Sequence, residues 1–353
     1  MFEGTRRRSP WIAAFVGIAA LAAAATGGVG SASASTSGKG TSAKVSLSGV
    51  TLNVGDEYGT FEGPLEASGQ LQNLPYTISW STFVSGPSVT AALVGGSVDV
   101  GEMSDPPPIF AQAAADEIKI VGAQEPLNPA TQSSFAIVVQ PSSPIRSVKQ
   151  LKGKSVSLLN GTILQYIAIL ALQKVGLSYS DITPVNLNPP SGGPAALEKG
   201  SVDALVTSIA VADGLVQQGQ GRILVTGAGL NRSLNYLVAS DAALQSPQKT
   251  AAIADLLQRL AKAQVWVNAH PAAYATVYAK NTGVPIDVAT SVVKKVPLAY
   301  VPITKPIKVA QQSEANIFNQ QGIIQARLNT NLEFDTRFNP LVTAVTGSTG
   351  PTS

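Results

Sequence analysis

A thirteen-residue pattern occurs twice in this chain, at residues 92–104 and, 104 positions later, at residues 196–208. In each copy a helix-forming Ala/Leu stretch stops at a glycine, Gly96 or Gly200, and Ser-Val-Asp then leads into an apolar, β-rich run ending in small hydroxyl residues. A repeat at that distance predicts two similar lobes. Open parallel sheets bind ligands beyond the carboxyl ends of their strands, so two facing lobes put Ser104 on one wall of a cleft and Thr207 and Ser208 on the other.

The first 34 residues combine Arg6-Arg7-Arg8, an apolar run from Trp11 to Ala25 and the small-residue site Ala32-Ser33-Ala34. This is the order of a secretory signal peptide cleaved after Ala34, and the paired arginines leave both the general and the twin-arginine export routes open. The apolar run is shorter than the roughly 20 residues a spanning helix needs, so a soluble periplasmic or secreted chain is expected. There is no cysteine, which removes disulfides, thiolate metal sites and lipid attachment at an N-terminal cysteine. Loss of residues 1–34 takes away three arginines and one glutamate, moving the formal charge from +3 to +1. Basic clusters such as Lys294-Lys295 are short and lack interleaved aromatics, so no nucleic-acid partner is expected.

Residues 35–48 read as a flexible Ser/Gly/Thr/Lys-rich leader. Strands are then predicted at 50–54, 76–82 and 98–101, with helices at 64–73 and after Ser85-Gly86-Pro87-Ser88, a β-α-β-α-β order that predicts a mostly parallel sheet flanked by helices. Further strands are expected at 118–123 and 135–140. The order restarts with strands at 155–159, 182–187 and 202–206 and a helix at 163–175. After Ser246 helical periodicity dominates, at 250–268, 271–281 and 307–321. The expected division is residues 49–139 plus 236–342 in lobe 1, residues 140–235 in lobe 2 and a disordered tail at 343–353. The segments 135–140 and 236–240 are expected to be the two crossing strands of a hinge.

A series of motifs follows this frame: Tyr58-Gly59-Thr60, Ser85-Gly86-Pro87, Gly96-Ser97-Val98-Asp99, residues 106–113, residues 143–147, Leu151-Lys152-Gly153-Lys154, residues 176–182 and Gly200-Ser201-Val202-Asp203. In this order, over about residues 50–318, they resemble the substrate-binding proteins of ABC importers for aliphatic sulfonates, taurine and nitrate. The resemblance implies a two-lobed α/β periplasmic-binding-protein fold of type II. It also implies capture of a small oxyanion, as a monomer without a cofactor or metal, and delivery to a membrane permease driven by a cytoplasmic ATPase. The chain departs from the sulfonate-binding pattern at Thr207-Ser208-Ile209-Ala210-Val211, where an aromatic and acidic segment is common. It departs again at Met103-Ser104-Asp105, where Asp105 either repels an anion or meets a cationic part of the ligand.

Helix starts can hold an oxyanion through free N–H groups and the positive dipole end. The candidate starts are Ser85-Gly86, Asn160-Gly161-Thr162, which matches a ligand-contacting turn of the family, and Ser191-Gly192. Tyr58 is a candidate to stack on or donate to the ligand. Arg232, near the expected hinge, is a candidate for a bidentate contact to it, with Ser233 and Asn235 beside it. Asp99 and Asp203 fall at helix-to-strand turns and read as structural, and His270 reads as a helix-boundary residue. One histidine and no cysteine supply no nucleophile-and-base pair, so a binder is expected rather than an enzyme. Alternatives are a nitrate-like anion, a thiamin-precursor pyrimidine, or a sensing role beside a membrane receptor.

Overall fold

The computed structural model describes residues 45–347; the expected signal peptide, most of the leader and residues 348–353 lie outside the described residues. The elements in chain order are β1 (Thr51–Glu57), α1 (Glu62–Ala67), β2 (Thr77–Phe83), α2 (Gly86–Val94), β3 (Val100–Ser104), α3 (Pro106–Ala113), β4 (Ile118–Pro126) and β5 (Phe135–Val139). They continue with β6 (Ser155–Leu158), α4 (Ile163–Gln173), β7 (Thr183–Asn186), α5 (Gly193–Glu198), β8 (Ala204–Ser208), α6 (Ile209–Gln217), β9 (Arg222–Thr226) and β10 (Asn235–Ser240). The last are α7 (Asp241–Gln245), α8 (Pro247–Ala269), α9 (Pro271–Thr282), α10 (Ile286–Lys295), β11 (Leu298–Val301), α11 (Lys305–Gln320) and α12 (Asn339–Thr346).

The repeat is structural. Both pattern helices stop at a glycine in the left-handed region, Gly96 at φ 74° and Gly200 at φ 69°. In both, the next amide reaches back over the last turn, from Ser97 to Ala92 at 3.0 Å and from Ser201 to Ala196 at 2.9 Å. A side chain at such a glycine is strained, which is why the helix ends there. The aspartates that follow do the same work in each lobe: Asp99 accepts from the Asn53 amide of β1 and Asp203 from the Ser155 amide of β6, both at 2.9 Å. Each pins a helix-to-strand turn to the neighbouring strand, the structural role expected for them.

Two sheets result, ordered β11-β4-β10-β3-β1-β2 and β7-β6-β8-β5-β9. The parallel unit expected in each lobe is present, as β1 with β2 and β3 and as β6 with β7 and β8. Each sheet has a strand that pairs antiparallel on both sides: β10 lies between β3 and β4, and β5 between β8 and β9, so both sheets are mixed. The expected lobe boundaries need correction. Phe135–Val139 belongs to the second sheet, because the chain crosses before it, over residues 127–134, and returns over residues 227–234. The hinge is therefore these two crossing segments, joined where the Gly229 amide donates to Pro129 O at 3.1 Å, and the strands that follow them are ordinary ladder members. Part of the C-terminal region also sits on the second lobe: Phe318 of α11 is fully buried against Tyr166 of α4 and Phe110 of α3. Residues 343–346, expected in a disordered tail, form the end of α12.

The first-lobe core packs Leu52 and Val54 of β1 against Leu256, Leu257 and Leu260 of α8. These α8 positions recur with a helical period, and each such burial contributes about 1.5–3 kcal/mol. In the second lobe Ile137, Val139, Val156 and Leu158 pack on Ile163 and Ile167 of α4. Helix α8 starts with the Ser246 hydroxyl accepting from the Lys249 amide and Pro247 in its first turn. His270 ends it: the ring stacks on Trp266 at 4.6 Å and its Nδ1 lies 2.9 Å from Trp266 O. Among the described residues no helix is long and apolar enough to cross a membrane.

Candidate functional site

Between the sheets lies a cavity of about 570 Å³ onto which both lobes open. Six of the residues expected at the site line it: Tyr58, Ser104, Thr162, Ser191, Thr207 and Ser208. Their common origin is position, since Ser104 ends β3, Thr207 and Ser208 end β8, and Thr162 caps the helix after β6. Ser104 and Thr207 are 8% and 9% exposed, and neither hydroxyl has a protein partner among the described residues. Tyr58 is a non-glycine residue at φ 63°, held there by its amide donating to Phe83 O at 2.9 Å. Such a conformation costs about 1–3 kcal/mol and persists where the surroundings impose it.

The second-lobe wall is built from two helix starts. The Thr162 hydroxyl caps α4 by accepting from the Leu164 amide, and Ser208 caps α6 by accepting from the Val211 amide. Residues of both first turns, Ile163 and Leu164 in one and Ile209 to Val211 in the other, face the cavity. The Ile209 amide is taken by Ser134 O, which leaves the first-turn amides of Ile163 and Ala210 uncapped among the described residues. A pair of helix N-termini with free N–H groups attracts an oxyanion without any metal.

The other six candidates do not line the cavity. The Asn160 amide donates to Asn186 Oδ1 and the Gly161 amide to Gln165 Oε1, both at 2.9 Å, so this turn contributes Thr162 alone. Gly161 instead faces Phe110 and Pro87 of the first lobe. Ser85 is buried with its hydroxyl 2.8 Å from that of Ser88, and Gly86 abuts Pro107 and Met103. The Gly86 amide is directed at the Glu57 carboxyl, so the start of α2 already has an acceptor. Asp105 points away from the cleft into a buried acidic group with Glu314 of α11, and burial pushes its carboxyl up to about 7. Arg232 is paired with Glu125 by two parallel contacts of 2.9 Å, which ties it into the hinge, apart from the residues that line the cavity.

The first-lobe wall carries residues the sequence reading passed over. Glu57 and Glu102 line the cavity, and burial pushes their carboxyls up to about 7 and about 8 respectively. Asp56 adjoins them but is committed to the amides of Phe61 and Glu62 at the start of α1, at 2.9 Å each. Tyr274 and Tyr278 of α9 and Tyr300 of β11 close this side, with Gln264 and Asn268 of α8. The helical spacing of Gln264 and Asn268, and of Tyr274 and Tyr278, is a signal that could have found this face. Across the top, Lys295 of α10 reaches Asp213 of α6 at 2.8 Å, and Val292 and Val296 pack against the second-lobe core.

Residues 85–274 match the profile of the NMT1/THI5-like family. An aliphatic sulfonates-binding protein of Escherichia coli K12 is 30% identical over 282 residues, covering 79% of this chain and 86% of that one. The chain belongs to this family. The alkanesulfonate-binding protein SsuA of Xanthomonas axonopodis pv. citri, solved bound to MOPS, superposes with a TM-score of 0.73 at 27% identity, over 82% of this chain and 99% of that one. The periplasmic aliphatic sulphonate binding protein SsuA of Escherichia coli gives 0.69 at 28% identity, over 80% and 91%. The fold is accordingly that of a two-lobed periplasmic binding protein, and these relatives are solute-binding proteins.

Proposed function

We propose that this protein is the extracytoplasmic solute-binding component of an ABC importer, and that it holds a small organic oxyanion of the sulfonate class between its lobes. The observation that carries the reading is the second-lobe wall, where the starts of α4 and α6, with the Ile163 and Ala210 amides uncapped, line a cavity that also receives the unpartnered hydroxyls of Ser104 and Thr207. Groups from both lobes converge there, so a ligand bridging them stabilises the closed arrangement and affinity includes that closure. The sulfonate-binding names of the relatives support this cargo, and their periplasmic setting supports export of the chain by its N-terminal segment. Loaded, the closed monomer presents its cargo to a membrane permease.

Binding without catalysis is supported by the relatives, which are solute-binding proteins. The one histidine of the chain is stacked on Trp266 and does not line the cavity. A thermal-shift screen against alkanesulfonates, taurine, nitrate, sulfate esters, bicarbonate and pyrimidines tests the reading, because a ligand of the native state raises the melting temperature. A rise with a sulfonate is expected; a rise with pyrimidines and none with any oxyanion overturns it.

A further inference from the structure

The two walls of the cleft descend from one pattern but differ in charge. Asn53 and Ser155 occupy matching places, each holding its lobe's aspartate, so Glu57 corresponds to Leu159 and Glu102 to Val206. Where lobe 2 has leucine and valine, lobe 1 has two carboxylates opening on the cavity, and neither joins an ion pair among the described residues. Aromatic rings surround them: Tyr58 lies within reach of the Glu57 charge, Tyr274 and Tyr300 of the Glu102 charge, and Tyr278 meets Tyr274 edge to face at 6.1 Å. No lysine, arginine or histidine lines the cavity among the described residues. Independently, the nearly buried and unpartnered hydroxyls of Ser104 and Thr207 mark the space between the walls as one a ligand fills.

Carboxylates and aromatic faces in a partly dry site both favour a cation, as helix starts favour an anion. We infer that Glu57 and Glu102 form a cation subsite on the first-lobe wall, so that the ligand carries a protonated or quaternary nitrogen at the end opposite its oxyanion. The inference rests on the oxyanion reading above for the other end. A simple alkanesulfonate places only a methyl against the carboxylates and forgoes their attraction.

The titration behaviour supports the geometry. Burial raises both carboxyls toward or above neutrality, and Asp56, Tyr58, Tyr274 and Tyr300 are the ionisable groups facing them. Both carboxyls therefore titrate within the neutral range rather than well below it. A cation favours the ionised form, so it releases protons on binding and binds more tightly as pH rises from 6 to 9. A ligand that accepted hydrogen bonds from the protonated carboxyls would weaken over the same interval.

Calorimetry with four probes tests this: 3-(trimethylammonio)propanesulfonate, 3-aminopropanesulfonate, butanesulfonate and propyltrimethylammonium. The two zwitterions are expected to bind about tenfold or more tightly than butanesulfonate, with proton release read from the buffer dependence of the heat. In Glu102→Gln and Glu57→Gln, shown folded by circular dichroism, that preference and the proton release are expected to shrink. Equal or tighter binding of butanesulfonate by the wild-type protein, weakening as pH rises, overturns the cation subsite and leaves the oxyanion reading standing. Binding of propyltrimethylammonium with no binding of any sulfonate overturns the oxyanion reading and retains the subsite.

Discussion

Truncating Arg232 to alanine should destabilise the protein by about 3–5 kcal/mol, the usual cost of leaving one partner of a buried ion pair unpaired. The magnitude follows from the asymmetry of the pair: the Glu125 side chain is 1% exposed and that of Arg232 28%, with two parallel contacts of 2.9 Å between them. Burial already holds the Glu125 carboxyl above its ordinary range in spite of the arginine. Removing the guanidinium raises it further, and a carboxyl raised in the folded state contributes stability below its unfolded value that is lost as pH rises. The penalty should therefore be small near pH 4–5 and full at pH 8, where it lowers the melting temperature by roughly 6–20 °C. Replacing both partners together, Arg232→Met with Glu125→Leu, should cost far less than Arg232→Ala alone. Urea denaturation of the three variants at pH 5 and pH 8, followed by circular dichroism, makes the comparison. Wild-type stability of Arg232→Ala at pH 8, coupled with loss of ligand affinity, would refute the hinge-pin argument and put the guanidinium on the ligand.

Thr207→Val exchanges an unpartnered cleft hydroxyl for a methyl, so it should leave the fold intact and weaken sulfonate binding by about tenfold, the worth of one hydrogen bond, as read by calorimetry. In the buried group of Asp105, Glu314 and Glu333, burial raises all three carboxyls, to about 7 for Asp105 and about 8 for Glu333. Protons are therefore bound more tightly in the folded state, so stability should fall as pH rises from 5 to 8, and Glu314→Gln should flatten that slope in denaturation curves. Lys295→Ala removes a contact whose lysine is 55% exposed, so stability should change by less than about 1 kcal/mol. Ligand release should nonetheless quicken severalfold in stopped-flow traces if α10 holds the lobes together, and an unchanged rate would deny it that role.

The two lobes were legible because glycine-terminated helices and pinned aspartates recur at a fixed spacing, and Ser104, Thr207 and Ser208 entered the cleft because strand ends always meet there. Thr162 followed from helix-start chemistry, while its neighbours Asn160 and Gly161 are spent on Asn186 and Gln165, partners that only the fold brings near. Arg232 shows the same limit, for its partner Glu125 stands 107 residues away. Glu102 was visible in principle as the one charge in the strand part of either repeat copy, where the other copy has Val206, but attention to what the copies share hides what separates them. Strand β11 was missed because four residues, Leu298–Val301, between two helices carry too little alternation to signal a strand. The boundary at residue 139 misled because an apolar run shows that a strand exists without showing which sheet it joins.

The most direct measurement is a crystal structure of the protein with 3-aminopropanesulfonate. The predicted result is a sulfonate group within about 2.7–3.2 Å of the Ile163 or Ala210 amide and of the Thr207 hydroxyl, with the lobes closed on it. A sulfonate bound outside the cavity, or seated against Glu57 and Glu102 with its amine toward the starts of α4 and α6, would contradict the account.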